Sequence, residues 1–353
     1  MKTHLLGTLT LATILAAGAI PAQELPSTTL SYVGSWSSLT LYKDFEQPFW
    51  GQHLTEASDG QVQVDVTTFD QMGLKGGEVF SLLSKGVFDI GSTVGDYTVS
   101  DAPELEGMDM PMIAPELENA RDVVRAYKPV LDDILSERFG GAKLIAAVPY
   151  PPQVVFCNAE IDGLASLEGK KIRASGRSTA EFLESVGAEG ITLAFSEVPG
   201  ALQRGVIDCA VTGSLSGYSA GWYEVSTHLY PLPVGGWDYV VTAMNGEAWE
   251  GMAAELQEWL LRQVEQHYEQ PVWDNAAREV EEGIACLTGN GECAQGEPGD
   301  MTLVEASEED FDLAQRMLEE QVLPAWVGRV DADDVARWNE TIGEVTGVTA
   351  SER

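Results

Sequence analysis

Positive charge is what this sequence has least of: 20 Lys and Arg stand against 56 Asp and Glu, a formal net charge of −36 over 353 residues. So acidic a surface repels nucleic acid and anionic lipid, which excludes polyanion-binding functions. Any basic residue near a cleft becomes conspicuous. Metal chemistry lacks its ligands too, because His4, His53, His228 and His267 form no cluster and the four cysteines contain no Cys-x-x-Cys pair. Nucleophile and nucleotide signatures are missing: "GSLSG" at 213–217 has Leu where a nucleophile elbow needs Ser, "GSTVG" at 91–95 lacks the spacing of a dinucleotide fingerprint, and no Walker sequence occurs. No catalytic residue, metal or cofactor is therefore assigned. A carboxylate-pair hydrolase stays open, since so many acids always contain candidate pairs. Long apolar runs are absent except for Leu5–Ala19, which is too short to span a membrane. With Lys2 before it and "AAGAIPAQE" after it, that run reads as a secretory signal over residues 1–22, cleaved after Ala22 or alternatively after Ala19.

In an exported chain, disulfides can form. "CLTGNGEC" places Cys286 and Cys293 across a Gly-rich turn, where a local bridge is expected. Cys157 and Cys209 lie in the strand-like runs "VVFCN" and "VIDCAV", and are either a second bridge or two buried thiols.

The most informative internal feature is a repeat offset by 119 residues, "EVFSLLSKGVFDIG" at 78–91 and "EVPGALQRGVIDCA" at 197–210, with six identities in register. Each copy reads as an amphipathic helix ending at a glycine, Gly86 or Gly205, with a short buried strand following at once. Two such units imply two similar α/β lobes. Strands are expected in "TTLSYVGSW", "GQVQVDVTTF", "AKLIAAVPY", "QVVFC", "KKIRAS" and "ITLAF", and helices over 42–58, 76–85, 178–186, 196–204, 252–283 and 307–326. The chain should cross between lobes near 150–153 and 236–240.

"KKIRASGRSTAEFLESVG" at 170–187 sets a charge beside the cleft. In a strand, Ile172 and Ala174 share one face while Arg173 and Ser175 share the other. Ser178 with Glu181 three residues on forms a capping-box pattern, followed by Phe182, Leu183 and Val186 as an apolar face and Gly187 as a stop. Arg173 thus sits near the carboxyl end of a strand, where open α/β sheets bind ligands, unless it is paired with a surface carboxylate. Facing an open, hydrated cleft, it would add little to stability. Trp36, Ser37 and Tyr97 also follow strand ends, and Trp237, Asp238 and Tyr239 fall at the second crossing, where hinge or core packing is the alternative.

Taken in order, "DGQVQVDVTTFDQMG", "LLSKGVFDIGSTVGDY", "MDMPMI", "LEGKKIRASG" and "LAFSEVPGALQRGVIDCAVTG" resemble the DctP-type solute-binding subunits of tripartite ATP-independent periplasmic (TRAP) transporters. The resemblance spans essentially the whole mature chain. It implies a two-lobed α/β periplasmic binding protein fold, joined by crossing strands and a long helix, closing on an organic acid and delivering it to membrane transporter subunits. Lobe one would comprise 23–152 with about 240–272, lobe two 153–239 with about 273–330, and 331–353 a tail packed on the lobes with a frayed end. Arg173 matches the family's carboxylate-binding arginine, and Phe195 an aromatic that covers the ligand. Two departures are informative: Gln153 stands where many relatives carry a second Arg, and Thr212 where they carry a ligand-binding Asn. One charged anchor with aromatic walls points to a monocarboxylate with an apolar or aromatic body; a ligand sensor feeding a signalling receptor is a further alternative.

Overall fold

The computed structural model describes residues 25–351, so the signal expected at 1–22 lies outside the described residues. In chain order the strands are β1 (Thr28–Gly34), β2 (Val62–Thr68), β3 (Ile90–Val94), β4 (Lys143–Val148), β5 (Gln153–Cys157), β6 (Lys171–Ala174), β7 (Glu189–Thr192), β8 (Cys209–Gly213), β9 (His228–Tyr230), β10 (Val240–Met244) and β11 (Thr302–Leu303). They form two sheets, ordered β2-β1-β3-β10-β4 and β11-β9-β5-β8-β6-β7. Helices cover both, giving two α/β lobes.

The internal repeat is a repeat of structure. In each copy a short helix, Val79–Leu83 or Val198–Gln203, ends at a glycine in the left-handed region, Gly86 (φ 69°) or Gly205 (φ 65°). The following valine and the glycine itself bond back to helix carbonyls: Val87 N to Leu82 O with Gly86 N to Leu83 O, and Val206 N to Ala201 O with Gly205 N to Leu202 O. Those paired bonds are a Schellman cap, which a side chain at the glycine would strain. The shared Asp then tethers the neighbouring parallel strand. Asp89 accepts from Ser31 N on β1, and Asp208 accepts from Lys171 N on β6. Each central strand, β3 or β8, thus has a parallel partner on one side and an antiparallel crossing strand on the other.

Several expectations shift for physical reasons. The strands start four residues after the glycines, not at once, because the cap and the Asp tether occupy those residues and leave Val87 and Val206 exposed. The first helix, over Leu41–Ala57, includes two π-turns, Leu41–Glu46 and Phe49–His53, around Pro48, which has no N–H to give. Ser178 is not a cap: the helix Arg177–Ser185 starts after Gly176, and Glu181 instead receives Arg329 at 2.5 and 3.0 Å. Residues 347–350, expected to fray, are held by Asn339, whose side chain donates to Ala350 O and accepts from Ala350 N, both at 2.8 Å.

The lobes are joined at two levels. Crossings between β4 and β5 and between β9 and β10 bond to each other, Tyr150 N to Trp237 O at 3.0 Å and Gln153 N to Gly236 O at 2.8 Å. A helix continues from Ala254 to Thr288 beneath them, passing through a π-turn at Glu265–Glu269 just before Pro271 and ending at Gly289 (φ 70°). Widening the helix there spares the carbonyl that the proline ring would otherwise strike.

Both disulfides form. Cys286–Cys293 closes the turn after the long helix, and Cys157–Cys209 links directly paired residues of β5 and β8 in the core. The second bridge spans 52 residues of sequence and ties β5 to β8, the neighbour of the β6 strand that carries Arg173. Replacing Cys157 and Cys209 together by Ser should cost about 2–4 kcal/mol of stability, read by urea denaturation. A double variant as stable as the oxidised wild type would contradict that role.

Candidate functional site

Arg173 lies on β6 between its parallel neighbours β7 and β8, opposite Ile191 and Ala210. It is only 1% exposed. Nε donates to Leu193 O at 2.9 Å, Nη1 to Val211 O at 2.6 Å, and Nη2 to the Tyr97 hydroxyl at 3.5 Å across the cleft. Its guanidinium also faces the Trp222 ring at 5.9 Å. No carboxylate among the described residues lies within ion-pair distance of it, so the surface-pair alternative does not apply. A guanidinium has five N–H groups, and three acceptors leave one N–H free on each terminal nitrogen. That is the fork a carboxylate matches. The arginine is nevertheless not the solvated side chain expected from sequence; two backbone carbonyls depend on it. Its bond to Leu193 O also explains why β7 covers Glu189–Thr192 rather than reaching Phe195: that carbonyl serves a side chain instead of the ladder.

Aromatic rings wall this centre. Trp36 packs with Phe69, Tyr97, Tyr150 and Phe195 at centroid distances of 4.8–6.0 Å, and Phe195 packs with Trp222 at 5.2 Å. Two cavities flank this wall, of about 360 and 310 Å³; Lys75 and Ala194 line both. The first is also lined by Asp96, Tyr97, Ser175 and Leu193, the second by Trp36, Phe195 and Asp70. A wider hollow between the helix Leu117–Arg138 and the long helix is remote from Arg173, and its cations are all paired, Arg121 with Asp274, Arg125 with Asp122 and Lys128 with Glu269.

Other sequence candidates divide. Gln153 is buried at the crossing opposite Gly213, where Nε2 donates to Pro151 O while Oε1 has no partner; Thr212 is buried on β8 opposite Val154. Ser37 is committed to Asp70, which takes its N–H at 3.1 Å and its hydroxyl at 2.6 Å. Trp237 donates Nε1 to Ala114 O at 2.7 Å, and Tyr239 is buried against Trp273 with its hydroxyl on Ala120 O. For those two the packing alternative describes the contacts: their polar atoms serve the fold. Asp238 is different. It is buried in a left-handed conformation (φ 44°), feels Arg173, and has Oδ1 without a partner.

Asp96 and Ser175 were missed by sequence reasoning. Asp96 follows β3, next to Tyr97, and packs so closely on Gly176 that a Cβ there would meet its Oδ2 at 1.9 Å. Ser175 shares the face of Arg173, a signal the alternation of "KIRAS" already contained. Trp222 in "SAGWYE" had no local signal at all.

A comparison with family models matches residues 31–291 to the bacterial extracellular solute-binding proteins of family 7, DctP. The chain belongs to the DctP family. A relative is the ectoine-binding periplasmic protein TeaA of Halomonas elongata, 25% identical over 256 residues, covering 69% of this chain and 73% of that protein. Among solved structures, an extracytoplasmic solute receptor of Bordetella pertussis that binds pyroglutamic acid aligns with a TM-score of 0.76 at 20% identity, over 91% of this chain and 100% of that one. A TRAP solute-binding protein of Desulfovibrio salexigens with bound orotic acid aligns with a TM-score of 0.79 at 16% identity, over 90% and 99%. DctP proteins are receptors rather than enzymes, so the hydrolase alternative falls away.

Burial dominates the acids of this DctP cleft. It pushes the Asp238 carboxyl up to about 6 against the opposing pull of Arg173 and Ser175, and Asp109 up to about 8 with added repulsion from Asp238. Asp96 is raised as well, by burial and then by Asp109, Asp238 and Glu106. Raised carboxyls favour the folded state while protonated, so their contribution is complete below the ordinary carboxylate range and is lost as pH rises through about 6 to 8. The ligand-free protein should therefore melt at lower temperature at pH 8 than at pH 5.5, and Asp238→Asn should flatten that slope. Equal slopes for wild type and Asp238→Asn would show that this cluster does not govern it.

Proposed function

We propose that this DctP protein is an exported, periplasmic receptor that binds a monocarboxylate between its lobes and delivers it to TRAP membrane subunits. The observation that carries the reading is the buried Arg173 with two free N–H groups and no carboxylate partner. A ligand carboxylate supplies the missing charge, and the surrounding rings of Trp36, Phe195 and Trp222 supply apolar walls for its body. The TeaA relative binds ectoine and the aligned receptors hold pyroglutamic and orotic acids, all compact rings, which supports a small cyclic or aromatic body. Gln153 and Thr212 offer neutral hydrogen bonds where a second cation would serve a dicarboxylate. The lobes, 23–152 with about 240–272 and 153–239 with about 273–330, move as the closing units in this reading.

Closure excludes water from the Arg173 contact and strengthens it. Removing one partner of such a pair costs on the order of 2–5 kcal/mol, so Arg173→Ala should weaken binding by roughly 30-fold or more. Because the side chain also serves two carbonyls, Arg173→Lys is the sharper variant: it keeps the charge and the bulk but not the fork. Calorimetric titration with matched monocarboxylates and dicarboxylates should show preference for the former and loss in both variants. Unchanged affinity in a folded Arg173→Lys protein, or a consistent preference for dicarboxylates, would overturn the assignment.

A further inference from the structure

The cleft holds more buried acid than one anchoring arginine can balance. Asp96 and Asp238 sit at the ends of adjacent strands, where Gly95 N bonds Tyr239 O at 3.0 Å, and both face the Ser175–Gly176 turn that follows β6. Each is at most 6% exposed. Neither oxygen of Asp96 has a partner, nor does Oδ1 of Asp238. The Ser175 hydroxyl is 4% exposed, near enough to Asp238 to pull its carboxyl down, and on the wall of the same cavity as Asp96. Arg177 lines the same cavity and pulls the Asp96 carboxyl down without bonding to it, and burial with the neighbouring acids outweighs that pull. Glu106 is engaged by Arg329 at 2.5 Å and by Arg177 at 3.5 Å, while Asp109 spends its oxygens on Trp237 N and Tyr239 N.

A simple anion docking on Arg173 would leave these carboxyl oxygens without a partner in a closed, dry chamber and oppose their ionisation. A ligand with its own positive group would not. We infer that the ligand of this cleft is a zwitterion, with its carboxylate on Arg173 and a protonated nitrogen held by Asp96 and Asp238, Ser175 accepting a further N–H. The inference rests on the carboxylate-receptor reading above and narrows its ligand class.

The test is a calorimetric panel of matched pairs with the whole mature protein at pH 7.5: proline against cyclopentanecarboxylate, phenylalanine against 3-phenylpropionate, and further amino and imino acids against their deaminated acids. The tightest binder is expected to carry the protonated nitrogen, with at least about a tenfold advantage over its deaminated partner. Asp96→Asn should erase most of that advantage while raising the melting temperature of the ligand-free protein, because it removes a buried carboxyl whose two oxygens have no partner. Deaminated acids binding as tightly as their partners would overturn the zwitterion while leaving the carboxylate receptor standing. So would an Asp96→Asn protein that keeps the full advantage. Failure of every carboxylate in the panel would overturn the receptor reading and the zwitterion with it.

Discussion

A buried guanidinium without a carboxylate partner is the constraint around which this cleft is organised. Arginine stays charged at any relevant pH, and burying that charge is costly unless its N–H groups are met. Three features of the fold follow from meeting them. β7 stops at Thr192 so that the Leu193 carbonyl can turn to Nε; β8 offers the Val211 carbonyl from its other side; and Trp222 lays its ring against the group. The last protein contact, Tyr97, comes from the opposite lobe. Satisfaction of Arg173 thus draws on both lobes, and its remaining N–H groups are the ones the proposed ligand carboxylate would meet.

The frame that brings the two lobes together is built twice from one plan. A Schellman glycine, an Asp tether and a central strand flanked by one parallel and one antiparallel neighbour recur in each lobe. Around the cleft, polar pairs tie the lobes beside the Trp36–Phe195 ring contact. Lys75 meets Glu197 at 3.2 Å at the exposed mouth, where such a pair contributes about 0–1 kcal/mol. Arg329 is more enclosed, joining Glu106 of one lobe to Glu181 of the other. Weak outer ties suit a receptor that must reopen, since the ligand contact rather than the rim then sets the stability of the closed state.

The fold was largely legible in sequence because its signals are local. Alternation placed most of the strands, and the repeat offset by 119 residues implied two lobes. What the pattern missed was the cost of each cap: the glycine turns and Asp tethers delay the strands, and Glu181 answers Arg329, more than a hundred residues away, instead of its own helix end. The candidate site was legible in part. Position puts Arg173 and Asp238 beside the cleft with polar atoms unspent, but Ser37, Trp237 and Tyr239 share the same positional signal and spend their polar atoms on Asp70, Ala114 and Ala120. Strand position says that a side chain is near the cleft; only packing decides which way it is spent. Asp96 was invisible because one acid among 56 carries no contrast.

The most direct measurement is a crystal structure of the protein closed on its tightest-binding acid. The ligand carboxylate should accept from both Nη1 and Nη2 of Arg173, within ordinary hydrogen-bond distance, with Leu193 O and Val211 O still in place. A carboxylate seated instead on Lys75 or Arg177, with Arg173 bonded only to the protein, would contradict the central claim.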